Sequence, residues 1–135
     1  MLPRSRADGA ALALVAAMAA IGLALVPRLP AEVAVHFTAG GTPDSYLPRL
    51  VAVALGPVAA LATLAVVRGA ARVDPPNDPR SIDAVVVGTT LLLAAVHLLV
   101  LGWNLGYRVP IPLVAAGAVL WTLALVGYVV VREGG

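Results

Sequence analysis

Apolar residues run almost unbroken through 9–26, 50–67, 84–106 and 109–131, and short polar breaks separate the four runs. A helix needs roughly 20 mostly apolar residues to cross the hydrocarbon core of a bilayer. The third and fourth runs meet that length. The first two fall a little short and would need a thinner bilayer or flanking side chains that reach the interface. The pattern predicts an all-α membrane protein, with residues 1–135 forming a single bundle of four transmembrane helices. A short hairpin-like loop is expected on the outer side between helices 1 and 2.

Composition agrees with that reading. Hydrophobic residues make up 61% of the chain, charged residues only 12%, and the mean hydropathy is +0.97. Soluble domains carry about 25% charged residues, so a water-soluble fold of this size is excluded and membrane lipid is the expected surround. There is no cysteine, which removes disulfides, thiolate metal sites and cysteine nucleophiles. The formal charge of +2 is too small to point to nucleic acid. The first run, preceded by Arg4 and Arg6, has the outline of a signal peptide. It ends at Val26-Pro27-Arg28 without a small-x-small cleavage signal, so a retained helix is expected.

Arginine placement predicts orientation. With four crossings, both termini and the middle loop share one side. That side holds Arg4, Arg6, Arg68, Arg72, Arg80 and Arg132, against Arg28, Arg49 and Arg108 on the other. The positive-inside bias puts both termini in the cytoplasm of a multi-pass cell-membrane protein. The middle loop, with Asp74-Pro75-Pro76-Asn77-Asp78-Pro79, reads as a solvated helix breaker.

Helices in lipid associate through close backbone approach and interhelical polar contacts. Ala16, Ala20 and Ala24, with Ala13 and Ala17 beside them, offer a small-residue stripe on helix 1; Ala52, Gly56 and Ala60 offer one on helix 2. Pro57 removes a backbone donor in helix 2, where a kink is expected. In helix 3, Thr90, His97 and Asn104 recur every seven residues and so form one polar stripe, expected to face the bundle interior. His97 reads either as a ligand-contacting or titratable site or as a neutral imidazole bonded to a neighbouring helix, with Thr63 and Thr122 as candidate partners. Trp103 and Tyr107 fit an interfacial aromatic anchor.

The segment from Leu29 to Arg49 is the most distinctive part of the chain. Val33 to Phe37 alternates like a strand, and Gly40-Gly41-Thr42-Pro43-Asp44 has turn chemistry. Pro48 suits the first turn of helix 2, with Asp44 or Ser45 as its cap. Through Leu29, Pro30, His36, Phe37, Gly41, Pro43 and Asp44, the chain resembles a family of bacterial and archaeal membrane proteins of unknown function. Its loop reads Leu-Pro, then His-Phe-Asn, then Gly-x-Pro-Asp-x-Trp and a basic residue. Tyr46 stands at the aromatic position and Arg49 at the basic one, while Thr38 and Leu47-Pro48 depart from the usual Asn and Gly-Ser. The resemblance covers about residues 9–57. The same domain opens the immunity protein of the sporulation-delaying toxin system, whose further spans carry an Asn-Arg-Gly-rich segment that is not found after the fourth run here.

The resemblance implies a binding or loop-structuring role for His36, Phe37, Gly41, Pro43, Asp44 and Arg49. His36 and Asp44 read as a peptide-binding pair, as loop-fixing residues, or with Glu32 as zinc ligands, although that spacing is not a familiar zinc pattern. No metal or cofactor is assigned. No acid–base pair, activated nucleophile or phosphate-cradling loop stands out, so an enzyme is not expected. The expected role is an immunity- or receptor-type protein whose outer loop recognises an extracellular peptide or a protein partner. The alternatives are a transport-related component built on the Thr90–His97–Asn104 stripe, or a structural accessory subunit that binds a membrane protein partner. A homo-oligomer is compatible with either.

Overall fold

The computed structural model describes residues 5–134; Arg4, counted in the arginine balance, and the terminal Gly135 lie outside the described residues. Helix α1 (Arg6–Leu25) runs into a 3-10 turn at Val26–Arg28. Strands β1 (Glu32–Phe37) and β2 (Pro43–Pro48) follow, then α2 (Arg49–Val73), α3 (Pro79–Asn104) and α4 (Ile111–Gly134). All four α-helices are long and apolar enough to cross a membrane, which marks a multi-pass membrane protein.

The helices exceed the apolar runs because a charged side chain ends a hydropathy run without ending the backbone hydrogen-bond ladder. Thus α2 extends through Arg68 and Arg72 to reach 25 residues. Asp8, Asp83 and Glu133 likewise fall within helices, near their ends. The caps are local. The Ser5 hydroxyl accepts from the Asp8 amide at the start of α1, and Asp78 accepts from the Arg80 amide ahead of Pro79 at the start of α3.

Helix α3 is the hub. It packs against α1, α2 and α4, and α1 and α2 also pack on each other. Its buried seam is Ser81, Val86, Gly88, Thr90, Ala94, His97 and Leu101. The expected Ala52–Gly56–Ala60 face of α2 does turn inward, with Ala52, Val53, Pro57 and Ala60 buried. On α1 the expectation fails. Ala13, Ala16, Ala17, Ala20 and Ala24 are exposed, and the packed seam is Ala11, Val15, Met18 and Gly22. Alanine offers only a shallow groove, whereas Gly22 lets the Val53 side chain come so near that an added Cβ would sit 3.1 Å from it. Alanine spacing alone could not reveal which face held that closest approach.

Helix α4 leans on α3 and buries none of its residues within the chain. Polar links hold it. The Trp121 indole donates to the Gly88 carbonyl at 2.9 Å. At the termini end, Glu133 accepts from the Asn77 and Asp78 amides and the Ser81 hydroxyl, placing a carboxylate at the start of α3. At the same end, Arg68 of α2 bonds Asp8 of α1 at 2.7 Å and Asp83 of α3 at 3.0 Å, tying three helices together. The hairpin lies at the opposite end, over α2 and α3.

Candidate functional site

The loop between α1 and α2 is a true two-stranded antiparallel hairpin. Its turn closes when the Thr38 amide donates to the Thr42 carbonyl at 2.8 Å and the Gly41 amide to the Thr38 carbonyl at 2.9 Å. The Thr38 hydroxyl accepts from the Thr42 amide, so a short polar side chain still serves where the resembled loop has Asn. Gly41 has φ +90°, a conformation that strains any residue with a Cβ. The tip also approaches α4, since a Cβ at Gly41 would lie 3.4 Å from the Pro112 ring.

The strands pair Glu32 with Pro48, Val33 with Leu47, Ala34 with Tyr46, His36 with Ser45 and Phe37 with Pro43. Val35 and Asp44 drop out of this register, and the two irregularities bring His36 and Asp44 together. The His36 Nδ1 and Asp44 Oδ1 atoms are 2.6 Å apart, with side chains 70% and 43% exposed. Asp44 and Ser45 therefore do not cap α2. They belong to β2, which continues to Pro48, and the helix starts at Arg49 without a side-chain cap. Glu32 does not complete a metal set with His36 and Asp44; no group of three or more metal-ligating side chains forms among the described residues.

The other side of the hairpin is fastened to the helices. Val33 is fully buried in a cluster with Leu29, Ala52, Val53 and Leu101. Asn104, at the end of α3, grips the backbone of β1: the Ala34 amide donates to its Oδ1 at 2.8 Å, and its Nδ2 donates to the Ala34 carbonyl at 2.9 Å. The side-chain amide thus does what a neighbouring strand would do. Phe37 meets Trp103 edge to face, with ring centroids 5.1 Å apart. Trp103 is therefore a hairpin contact as well as a residue near the span end, whereas Tyr107 is exposed. The Arg49 amide donates to the Ala31 carbonyl at 3.1 Å, and its guanidinium reaches the Val26 carbonyl at 3.5 Å.

The polar stripe of α3 faces the bundle, but its members do separate jobs. The Thr90 hydroxyl returns to the Val86 carbonyl of its own helix. Thr63 and Thr122 do the same with Ala59 and Ala118, so neither partners His97. His97 instead places Nε2 3.3 Å from the Met18 carbonyl of α1. A carbonyl only accepts, so the proton sits on Nε2. The ring lies between two glycines: a Cβ on Gly56 would fall 2.4 Å from Nδ1, and one on Gly22 3.5 Å from Nε2. A cavity of about 220 Å³ beside it, lined in part by Val33, Gly56 and Leu101, lies under β1. The stripe is a packing seam that ends in a hairpin clasp.

The sequence did not reveal the partners in three features: the Asn104 clasp, the Arg68–Asp8–Asp83 tie and the Glu133 tether. Their partners are distant in the chain, and nothing local links Ala34 to Asn104 or Asp8 to Arg68. The one available hint was a lone amide at the end of an apolar run.

Residues 13–61 match a domain of unknown function, DUF1648. No curated protein and no solved structure gives a match to the chain. The matched stretch runs from within α1 through the hairpin into α2, so Trp103 and Asn104, which hold the hairpin down, lie beyond it. What is assigned is an uncharacterised domain comprising most of α1, the whole hairpin and the first half of α2.

Proposed function

We propose that this is an immunity- or receptor-type protein that works by binding, with the hairpin as its recognition surface. In this reading both termini are cytoplasmic, as the arginine balance favours, and the hairpin faces the extracytoplasmic side of the cell membrane. The observation that carries the reading is a division of labour within the hairpin. Val33, Ala34 and Phe37 are spent on docking to Leu101, Asn104 and Trp103, whereas the His36–Asp44 pair stays open to solvent. A held platform with an exposed imidazole–carboxylate pair suits a protein or peptide partner, because docking has already met the ordering cost of the loop. The resemblance to the domain that opens toxin-immunity proteins supports the same reading.

Affinity capture from native membranes tests it, comparing wild type with His36→Ala and Asp44→Ala. The expected result is a partner that co-purifies with wild type and is lost from both variants at unchanged membrane abundance. Variants that keep the partner would show that the pair does not recognise it, and variants that disappear from the membrane would assign the pair to folding. Epitope tags in the hairpin tip and at the C-terminus check the orientation by accessibility in intact cells.

A further inference from the structure

The hairpin has two edges, and at mid-strand only the β1 edge is capped, at Ala34. Ala34 directs both its N–H and its C=O to Asn104, away from β2. In an antiparallel ladder, residues directly opposite alternate between pairs that exchange hydrogen bonds and pairs that do not. Ala34 and its partner Tyr46 are therefore a non-bonded pair, and Tyr46 turns its own N–H and C=O away from β1. The Arg49 amide bonding the Ala31 carbonyl keeps the same alternation three residues on, which leaves Pro48 where no N–H is needed. The outer edge of β2 thus offers one complete donor–acceptor doublet, at Tyr46, between Pro43 and Pro48. Asp44, Ser45 and Tyr46 along it are all exposed.

We infer that this edge is a strand-addition site for an extended peptide carrying a basic residue. The inference rests on the receptor reading and specifies its mode of recognition. The peptide would lie beside β2 as a third strand, with one residue exchanging both backbone bonds with Tyr46. Charge selects the side chain. Asp44 gives one oxygen to His36 and keeps the other free; residues 32–48 hold a second exposed carboxylate, Glu32, and no arginine or lysine, and the neighbouring Arg49 is turned to the Val26 carbonyl. A cationic side chain reaching Asp44 completes the pair. The prolines at both ends of β2 restrict pairing to a few residues, which admits a short peptide and discourages open-ended stacking of copies.

The test uses full-length protein in lipid nanodiscs and five-residue peptides of alternating threonine and valine. The peptides carry a central arginine, a central glutamate, or the central arginine with alternate amides N-methylated. The arginine peptide should bind wild type, with affinity at least tenfold weaker for the glutamate and N-methylated forms. Asp44→Ala should lose the preference for arginine over glutamate. Tyr46→Pro, which removes the edge donor, should lose binding with the hydrogen-exchange protection of the Ala34 amide unchanged, while Tyr46→Thr, which changes only the side chain, should retain it. Equal binding of the N-methylated peptide would overturn strand addition, as would the absence of binding by any peptide. A partner captured through His36 and Asp44 but indifferent to Tyr46→Pro would sink the edge mode and leave the receptor reading standing.

Discussion

Gly56→Ala should damage the bundle through one side chain, His97, and removing that side chain should repair much of the damage. The added methyl would lie 2.4 Å from Nδ1 and 2.7 Å from Cγ of the imidazole, with the His97 Cβ at 3.1 Å. Gly22 and the Met18 carbonyl bound the ring on the α1 side, so it can yield only toward the cavity under β1 and by giving up the bond to Met18. Overpacking of this kind costs about 1–3 kcal/mol. Alanine's better helix propensity returns roughly 0.5–1 kcal/mol, so the net loss should be about 0–2.5 kcal/mol. His97→Ala alone forfeits one long hydrogen bond, about 0.5–1.5 kcal/mol, and leaves a hole between α1 and α2. In the double variant the methyl added at position 56 has no ring to strike and fills part of that hole. The two changes should therefore be less harmful together than their sum, with a coupling of at least about 1 kcal/mol. Unfolding of the four proteins in mixed micelles, followed by circular dichroism, gives the cycle. Additivity within about 0.5 kcal/mol would show that Gly56 and His97 do not meet, and the seam described above would be wrong.

Asn104→Leu should free the hairpin while the helices stay folded. The amide and carbonyl of the fully buried Ala34 lose their partners, at about 1–3 kcal/mol for each unsatisfied group. Hydrogen exchange in nanodiscs should show lost protection in residues 32–48 with the mid-helix amides unchanged, and unaltered hairpin protection would refute the clasp. Arg68→Ala should lower the unfolding midpoint in detergent by the equivalent of about 1–2 kcal/mol, below the cost of breaking a fully buried pair because all three partners are partly exposed. Arg68→Lys should recover only part of that loss, since an ammonium cannot hold Asp8 and Asp83 with a planar fork. A silent Arg68→Ala would show that the tie contributes nothing.

Much of the architecture could be read directly along the chain. Four crossings follow from local apolar length, and the hairpin follows from an alternating run beside a glycine-proline turn. Asp44 shows how a local rule misleads. An acidic residue shortly before a helix is a good cap candidate, yet β2 extends farther than its turn-like residues suggested and takes Asp44 across to His36. The α1 face shows a second limit. The packed seam of Ala11, Val15, Met18 and Gly22 is neither of the alanine stripes that spacing offered, so the choice depended on the surfaces of α2 and α3.

Hydropathy and turn chemistry are properties of neighbouring residues, so the class of the protein, the number of its helices and the place of its loop were already decided by composition and order. Which way each helix turns, how the loop is anchored and what it leaves exposed depend on residues tens of positions apart. Asn104 meeting Ala34 and Arg68 meeting Asp8 come about only when α1, α2 and α3 close around His97. In lipid the hydrophobic effect does not choose between helix faces, and close packing together with a few polar contacts makes that choice.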